Sequence, residues 1–204
     1  MERTIDNQLV ELKQTISDMG HKALYALQMV VDGLNQSDSQ ILQKIRHIEK
    51  QINELHIKVD NDCMVVLAKQ GPVARDLRMI LAIIKMNTDL ERIGDQCVNI
   101  SYLVFDMIQR GHNYDLSEVV KMSSKTSQMV SQALQSFDEM NIDKARSVLA
   151  MDDEIDRYRT DIFKYNVEQI KKDARYTETY LDIIFIAKNL ERLGDHATNV
   201  VEDV

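Results

Sequence analysis

Leu-Glu-Arg-Ile-Gly-Asp at residues 90–95 returns as Leu-Glu-Arg-Leu-Gly-Asp at residues 190–195, and Asn99 is matched in the same way by Asn199. The offset of 100 positions is about half of the 204-residue chain, which is typical of a duplicated unit. The sequence therefore predicts two copies of one domain, the first at residues 1–111 and the second at residues 112–204.

Apolar residues recur at helical spacing around these motifs. In the first helix Leu12, Ile16, Met19 and Ala23 are three or four residues apart, and similar stripes follow along the chain. The chain has only 6 Gly and 1 Pro, whereas β-sheet folds use many more of both in their turns. Because short loops make neighbouring helices antiparallel, we predict an all-α fold of two tandem three-helix bundles, with six long helices related by an internal pseudo-twofold repeat.

Local signals predict where several helices begin or end. Ser37 with Gln40, and Asp115 with Glu118, have the spacing of capping boxes at the starts of the second and fourth helices. Gly111 ends the third helix 16 residues after its motif, but only nine residues follow the second motif. We therefore expect the sixth helix to be short or truncated.

Charge and missing motifs exclude several classes of protein. With 33 acidic and 25 basic residues the formal net charge is −8, which repels nucleic acid, so we exclude a nucleic-acid-binding role.

Cys63 and Cys97 belong to no metal-type cluster and are expected to be reduced, and no segment has the character of a signal peptide or membrane span. We expect a cytoplasmic protein. No P-loop, dinucleotide-binding, Glu-x-x-His or nucleophile motif is present, so nothing indicates an enzyme.

The repeated motif places two acidic residues on one face of a helix. Glu91 and Asp95 are four residues apart, as are Glu191 and Asp195, so one helical turn separates the members of each pair. Carboxylate oxygens without imidazole or thiolate are typical ligands of hard cations such as Mg, Mn, Ca or oxidised iron. The alternative is a solvated face on which the arginine of each motif is the ion-pair partner of the acids.

Two further groups of residues are candidates. Asp152 and Asp156 form a similar pair on the fifth helix, where they either complete a metal site or are exposed charges. Arg75, Asp76 and Arg78 lie at the start of the third helix, where an acid complements the helix dipole. The two arginines are candidates for contacting an acidic surface on a partner.

A comparison of the two halves adds detail. Glu49 and Asn53 on the second helix are the counterparts of the acidic pair on the fifth. Gly94 and Gly194 each cost about 1 kcal/mol in the middle of a helix, which hints at a close helix approach or at access for a bound ion. His196 points about 100° away from its neighbour Asp195 around the helix, so we expect it at the surface.

Three stretches of the chain together resemble a known family. They are Pro-Val-Ala-Arg-Asp-Leu-Arg at 72–78, Asp-Leu-Glu-Arg-Ile-Gly-Asp at 89–95 and Asn-Leu-Glu-Arg-Leu-Gly-Asp-His-Ala at 189–197. On these residues the chain resembles the PhoU family over nearly its whole length. The resemblance implies two three-helix bundles and a negative regulator of phosphate uptake and of phosphate-starvation signalling.

The resemblance also implies partners and cofactors. PhoU proteins restrain the phosphate ABC transporter and relay its state to a sensor histidine kinase, so we expect the transporter's nucleotide-binding subunit, the kinase and a second copy of the chain as partners. Metal ions of the family (Mg, Mn, Fe or Zn) are expected on six acids: Glu91, Asp95, Glu191, Asp195, Asp152 and Asp156. The alternative is a metal-dependent phosphohydrolase built on the same carboxylates. A role with a different phosphate transporter is a further possibility within the resemblance.

Overall fold

The computed structural model describes residues 4–111 and 114–202, which form six α-helices and one 3₁₀ turn and contain no strand. The elements are α1 (Thr4–Gln36), α2 (Ser39–Gln70), α3 (Ala74–Arg110), α4 (Ser117–Glu139), α5 (Ile142–Lys172), the 3₁₀ turn Ala174–Tyr176 and α6 (Thr177–Glu202). The prediction of an all-α fold of two tandem three-helix bundles is confirmed. The predicted boundary between residues 111 and 112 adjoins residues 112–113, which lie outside the described residues, and it stays a prediction.

Each half of the chain packs as a bundle, and the two bundles lie side by side. Helices α1, α2 and α3 contact one another, and so do α4, α5 and α6. The bundles meet where α1 contacts α4 and α3 contacts α6. Among the described residues α2 and α5 make no contact across this boundary, so they lie at the outer edges. Buried apolar side chains from both halves form one continuous core.

The two motif-bearing helices run antiparallel to each other. Asp89 on α3 is bonded to Asn199 near the end of α6, whereas Arg110 at the end of α3 pairs with Asp182 near the start of α6. The motifs at residues 90–95 and 190–195 therefore lie along the contact between the two bundles. Their apolar members are fully buried there, as the helical stripes predicted.

The start of α2 differs from the predicted capping box. Asp38 is the N-cap residue, and its Oδ1 accepts a hydrogen bond from the backbone N–H of Gln40 at 2.8 Å. Ser37 lies one residue earlier, in the left-handed region with φ of 51°, a conformation that an N-cap residue does not adopt. The prediction was wrong by one residue because Ser and Asp are both good caps and stand side by side.

The start of α4 also departs from its prediction. Asp115 accepts a hydrogen bond from the backbone N–H of Ser117 at 2.8 Å, but α4 begins at Ser117 with Leu116 as its N-cap residue. Glu118 instead pairs with Lys121 at 2.7 Å, so it does not close a capping box. Within the described residues, α6 has 26 residues against 37 in α3.

Within residues 4–111 and 114–202, no helix combines the length and the apolar character needed to cross a lipid bilayer. Cys63 and Cys97 are both free and buried. Burial raises the pKa of the Cys63 thiol to about 11, with the nearby carboxylates of Asp60 and Asp62 adding to the effect. Burial also raises the pKa of the Cys97 thiol, so both thiols are protonated at neutral pH.

Candidate functional site

The acidic pair of the first half lies on α3 with the arginine of its motif between the two carboxylates. Nε of Arg92 is 3.4 Å from Oε2 of Glu91, and Nη1 of Arg92 is 3.5 Å from Oδ2 of Asp95. The ion pairing expected of a solvated face is therefore present in this half. A cation that binds these acids must share their oxygens with Arg92 or displace it.

Helix α2 brings a carboxylate to the same place. Glu49 and Asp95 line one surface depression, and Nδ2 of Asn53 donates a hydrogen bond to Oε1 of Glu49. The helices approach closely here, since a Cβ built on Gly94 would lie 3.1 Å from Cδ1 of Ile52. Gly94 therefore allows the close approach of the two helices, as its position in the middle of a helix suggested.

The second half repeats this arrangement on α5 and α6. A Cβ built on Gly194 would lie 3.6 Å from Cγ2 of Ile155 and 3.9 Å from Oδ1 of Asp152. Glu191 accepts a hydrogen bond from Nε of Arg159 at 3.1 Å. The glycine of the second motif therefore leaves space directly beside one of the predicted ligand carboxylates.

The glycine contacts also align α2 with α5. Because Ile52 faces Gly94 and Ile155 faces Gly194, the residues three positions before each isoleucine occupy equivalent places. Glu49 therefore corresponds to Asp152, and Asn53 to Asp156, as expected from the sequence. The first half carries one carboxylate fewer.

Carboxylates are crowded in the second half. Burial raises the pKa of Asp152, and the charges of Asp156, Asp195, Asp153 and Glu191 raise it further. These five residues thus come from two helices but lie within electrostatic reach of one another. A bound cation would relieve the repulsion between these carboxylates.

The carboxylate of Asp195 also lies near another acid, Asp156. Its pKa is raised by burial and by the charge of Asp156, while His196 and Arg192 act in the opposite direction. The predicted ligands Glu191, Asp195 and Asp156 therefore belong to one acidic cluster together with Asp152.

The donor atoms of these clusters fit a hard cation, since all are carboxylate or amide oxygens. In the part of the chain that the structure describes, however, no three Asp, Glu, His or Cys side chains already converge as a ligand set. Binding would require these carboxylates to rotate towards the ion. The six metal ligands named from the sequence therefore stay a prediction.

The predicted partner-binding residues lie elsewhere. Arg75, Asp76 and Arg78 are in the first turns of α3, which begins after the exposed Val73, and both arginines are exposed. Along the helix axis they are roughly 25 Å from the acids of the first motif. The structure does not bring the two groups together, so they belong to separate surfaces.

One residue was misplaced by the sequence analysis. His196, expected at the surface, lies between the bundles, with Nδ1 2.8 Å from Oδ1 of Asp89. Asn199 donates a second hydrogen bond to the same oxygen at 3.0 Å. A difference between the two repeats could have indicated this contact. Asp89 corresponds to Asn189 in the second copy, and His196 corresponds to Gln96 in the first.

Comparison with known proteins decides the family. The family model of the PhoU domain matches residues 16–104 and again residues 119–204, one match in each bundle. The chain belongs to the PhoU family. It is 32% identical to the phosphate-specific transport system accessory protein PhoU homolog of Pseudomonas aeruginosa, over 96% of this chain and 81% of that protein. It is 26% identical to the accessory protein PhoU of Escherichia coli K12, over 96% and 81% of the two chains.

Solved structures of PhoU proteins have the same architecture. The crystal structure of PhoU from Pseudomonas aeruginosa superposes with a TM-score of 0.95 at 31% identity, covering 98% of this chain and 96% of that one. The regulatory protein PhoU from Streptococcus pneumoniae superposes with a TM-score of 0.89 at 24% identity, covering 98% and 94%. The second likeness supports the PhoU fold alone.

Proposed function

We propose that this PhoU-family protein is a negative regulator of phosphate uptake and of phosphate-starvation signalling. One observation carries the proposal: the likeness to the Pseudomonas aeruginosa protein, named an accessory protein of phosphate-specific transport, extends over 96% of this chain. The TM-score of 0.95 to the PhoU crystal structure from the same organism shows that the likeness extends to the fold. The protein acts as an adaptor that docks on a phosphate transporter and is not itself an enzyme.

The proposed docking surface is the start of α3. Arg75 and Arg78 are exposed there, and Val73 beside them is 72% exposed. On a chain of net charge −8, a local pair of arginines with an apolar neighbour is complementary to an acidic patch on another protein. We propose as partners the nucleotide-binding subunit of a phosphate ABC transporter and a phosphate-sensing histidine kinase. Contacts of this kind weaken as salt screens the charges.

The acidic clusters are proposed to bind metal ions. Glu91 and Asp95 would hold ions in the first half, and Glu191, Asp195, Asp152 and Asp156 in the second. When bound, a Mg, Mn, Fe or Zn ion supplies positive charge to crowded carboxylates. Arg159 holds the ligand Glu191 by a hydrogen bond, and in the first half Asn53 holds Glu49, which lines the same depression as the ligand Asp95. The proposal also includes a cytoplasmic location and a homodimer, as the resemblance to the PhoU family implied.

A co-purification experiment tests the docking proposal. The protein is expressed in its native host with an affinity tag, and the transporter subunit and the kinase are measured in the eluate by mass spectrometry. Arg75→Glu with Arg78→Glu should lower the yield of at least one partner. Arg146→Glu is the matched control, because Arg146 is an arginine on α5 whose side chain is 77% exposed. Equal yields from all three proteins would contradict the docking surface.

A separate assay tests the phosphohydrolase alternative. Carboxylate-bound metal ions can activate water for attack on a phosphate ester, so turnover in Mn²⁺ or Mg²⁺ that is lost with Glu191→Ala would favour an enzyme. An adaptor should show no such turnover above the level of the variant.

A further inference from the structure

A groove between α2 and α3 in the first bundle begins beside the acids Glu49 and Asp95 and extends along α3 beyond them. It consists of two adjoining cavities of about 720 Å³ and 500 Å³. Both are lined by Arg46 and Tyr102, which mark the point where they join. The larger cavity extends to Phe105 and Asp106, and the smaller one to Asp95. From Asp95 to Asp106 the groove follows α3 for roughly 16 Å, so it suits an elongated ligand.

The two walls of the groove differ in chemistry. Helix α2 contributes three exposed residues that carry or can carry positive charge, Arg46, His47 and Lys50. Helix α3 contributes two aromatic rings, Tyr102 and Phe105, which are three residues apart and so share one face. Cations and aromatic rings thus line the same groove from opposite sides.

Arg46 already contacts the aromatic wall of the groove with its planar guanidinium group. Its guanidinium carbon lies 5.5 Å from the centre of the Tyr102 ring, within the range of a cation–π contact. Tyr102 is 47% exposed and lines the larger cavity, so a ligand in the groove can reach its ring. Lys50 makes no ion pair with any carboxylate of the described residues, which leaves its ammonium group available.

The second half of the chain lacks this chemistry. Since Ile52 on α2 corresponds to Ile155 on α5, the places of the three basic residues are taken on α5 by Leu149, Ala150 and Asp153. Two apolar residues and an acid replace three basic ones, so the basic wall of the groove, unlike the acidic pairs, is not part of the repeated unit.

We propose that this groove binds a nucleoside phosphate. The base stacks on Tyr102 and Phe105, and the phosphates contact Arg46, His47 and Lys50. Base–aromatic stacking and cation–phosphate pairing are the two interactions that the opposite walls offer. A bare inorganic anion would use only the cationic wall, and an uncharged aromatic compound only the aromatic one. A nucleoside phosphate uses both.

The remaining polar residues fit the two ends of such a ligand. Gln43 and Asp106 lie beside the rings, where an amide and a carboxylate can hydrogen-bond the edge of a base. Glu49 and Asp95 lie at the opposite end, near Lys50. Because these two acids repel free phosphates, we expect the nucleotide to bind more tightly as its Mg²⁺ complex.

Isothermal titration calorimetry of the purified protein with MgATP tests the proposal, with adenosine and inorganic triphosphate as separate ligands. We expect MgATP to bind measurably and each of the two fragments to bind more weakly. Tyr102→Ala and Arg46→Leu should each weaken MgATP binding by roughly tenfold. Arg46→Leu introduces the residue type that the chain itself carries at the equivalent position 149.

Matched variants distinguish the groove from other surfaces. Tyr165→Ala and Arg146→Leu remove an equally exposed tyrosine and an exposed arginine from α5, and they should leave the MgATP affinity unchanged. Circular dichroism checks that all four variants keep their helicity. The proposal is overturned if the wild-type protein binds no MgATP at millimolar concentration. It is also overturned if triphosphate binds as tightly as MgATP, or if the groove variants bind like the α5 variants.

Discussion

Nδ1 of His196 on α6 lies 2.8 Å from Oδ1 of Asp89 on α3, across the contact between the two bundles. Asn199 donates to the same carboxylate oxygen from the next turn of α6. The side chains of His196 and Asp89 are only 21% and 14% exposed. One carboxylate of the first bundle is therefore the acceptor for two polar groups of the second.

Replacing this carboxylate should weaken the association of the bundles. Asp89→Ala leaves His196 and Asn199 without their acceptor, so we expect the free energy of unfolding to fall by about 1 to 3 kcal/mol. Urea denaturation measures the change, and a double-mutant cycle with His196→Ala isolates the pair. Asn189→Ala is the matched control, because the side chain of Asn189 donates a hydrogen bond to the backbone of Phe185 in its own helix and, among the described residues, has none to α3. Equal losses for Asp89→Ala and Asn189→Ala would contradict the role of Asp89.

The two motif glycines should differ in their tolerance of alanine. A Cβ at position 94 would lie 3.1 Å from Ile52, whereas a Cβ at position 194 would have no atom closer than 3.6 Å. Gly194→Ala should therefore be neutral or stabilising by up to about 1 kcal/mol, because alanine favours the helix. Gly94→Ala should be less stable than Gly194→Ala in the same urea assay. The opposite order would show that the helices are not closest at Gly94.

A larger penalty is expected where α1 meets α4. A Cβ on Gly20 would lie only 2.5 Å from Cδ2 of Leu134, so Gly20→Ala should destabilise the protein by about 1 to 3 kcal/mol through overpacking. The double variant with Leu134→Val has room for the new methyl group and should recover part of the loss. Thermal unfolding of both variants measures the recovery. If Gly20→Ala is as stable as the wild type, Leu134 moves aside without cost and the predicted overpacking is contradicted.

Most of the fold could be predicted from the sequence, because it rests on apolar spacing and on a repeat. The stripe through Ile16 and Met19 is fully buried, and the acids of the motifs lie on the predicted helices. The inter-bundle bond of Asp89 could not be predicted, since the spacing within α6 does not show which helix packs against His196. The same holds for the groove at Tyr102, which needs the register of α2 against α3. Partner contacts between helices are set by tertiary packing and not by local periodicity.

The crowding around Asp152 predicts a pH dependence in protein freed of metal by a chelator. The pKa of Asp152 is higher in the folded state than in the unfolded state, so the folded state binds the proton more tightly. The contribution of the protonated carboxyl group to stability is therefore lost as pH rises through the folded-state pKa. Asp152→Asn removes the charge, so at neutral pH it should stabilise the protein by about 0.3 kcal/mol per neighbouring carboxylate after solvent screening. Below the unfolded pKa the two proteins should be equally stable. Urea denaturation at several pH values gives the comparison, and a wild-type advantage at neutral pH would contradict it.

Metal content should follow the repeated acids. Glu91→Ala with Asp95→Ala should remove about half of the bound divalent metal, and adding Glu191→Ala with Asp195→Ala should remove most of it. Elemental analysis of the purified proteins measures the content, and circular dichroism confirms that the helices remain. Asp138→Ala with Asp143→Ala serves as the control, because both of these acids are exposed and lie outside the clusters. Unchanged metal in the cluster variants would mean that the acids are only a solvated face.

The regulatory role is tested most directly by a phosphate-starvation reporter in the native host. In phosphate-rich medium the reporter should be silent with the gene intact and active when the gene is deleted. The wild-type gene supplied on a plasmid should silence it again, whereas the variant with Arg75→Glu and Arg78→Glu should not. A reporter that stays silent in the deletion strain would contradict the proposal that this protein represses phosphate-starvation signalling.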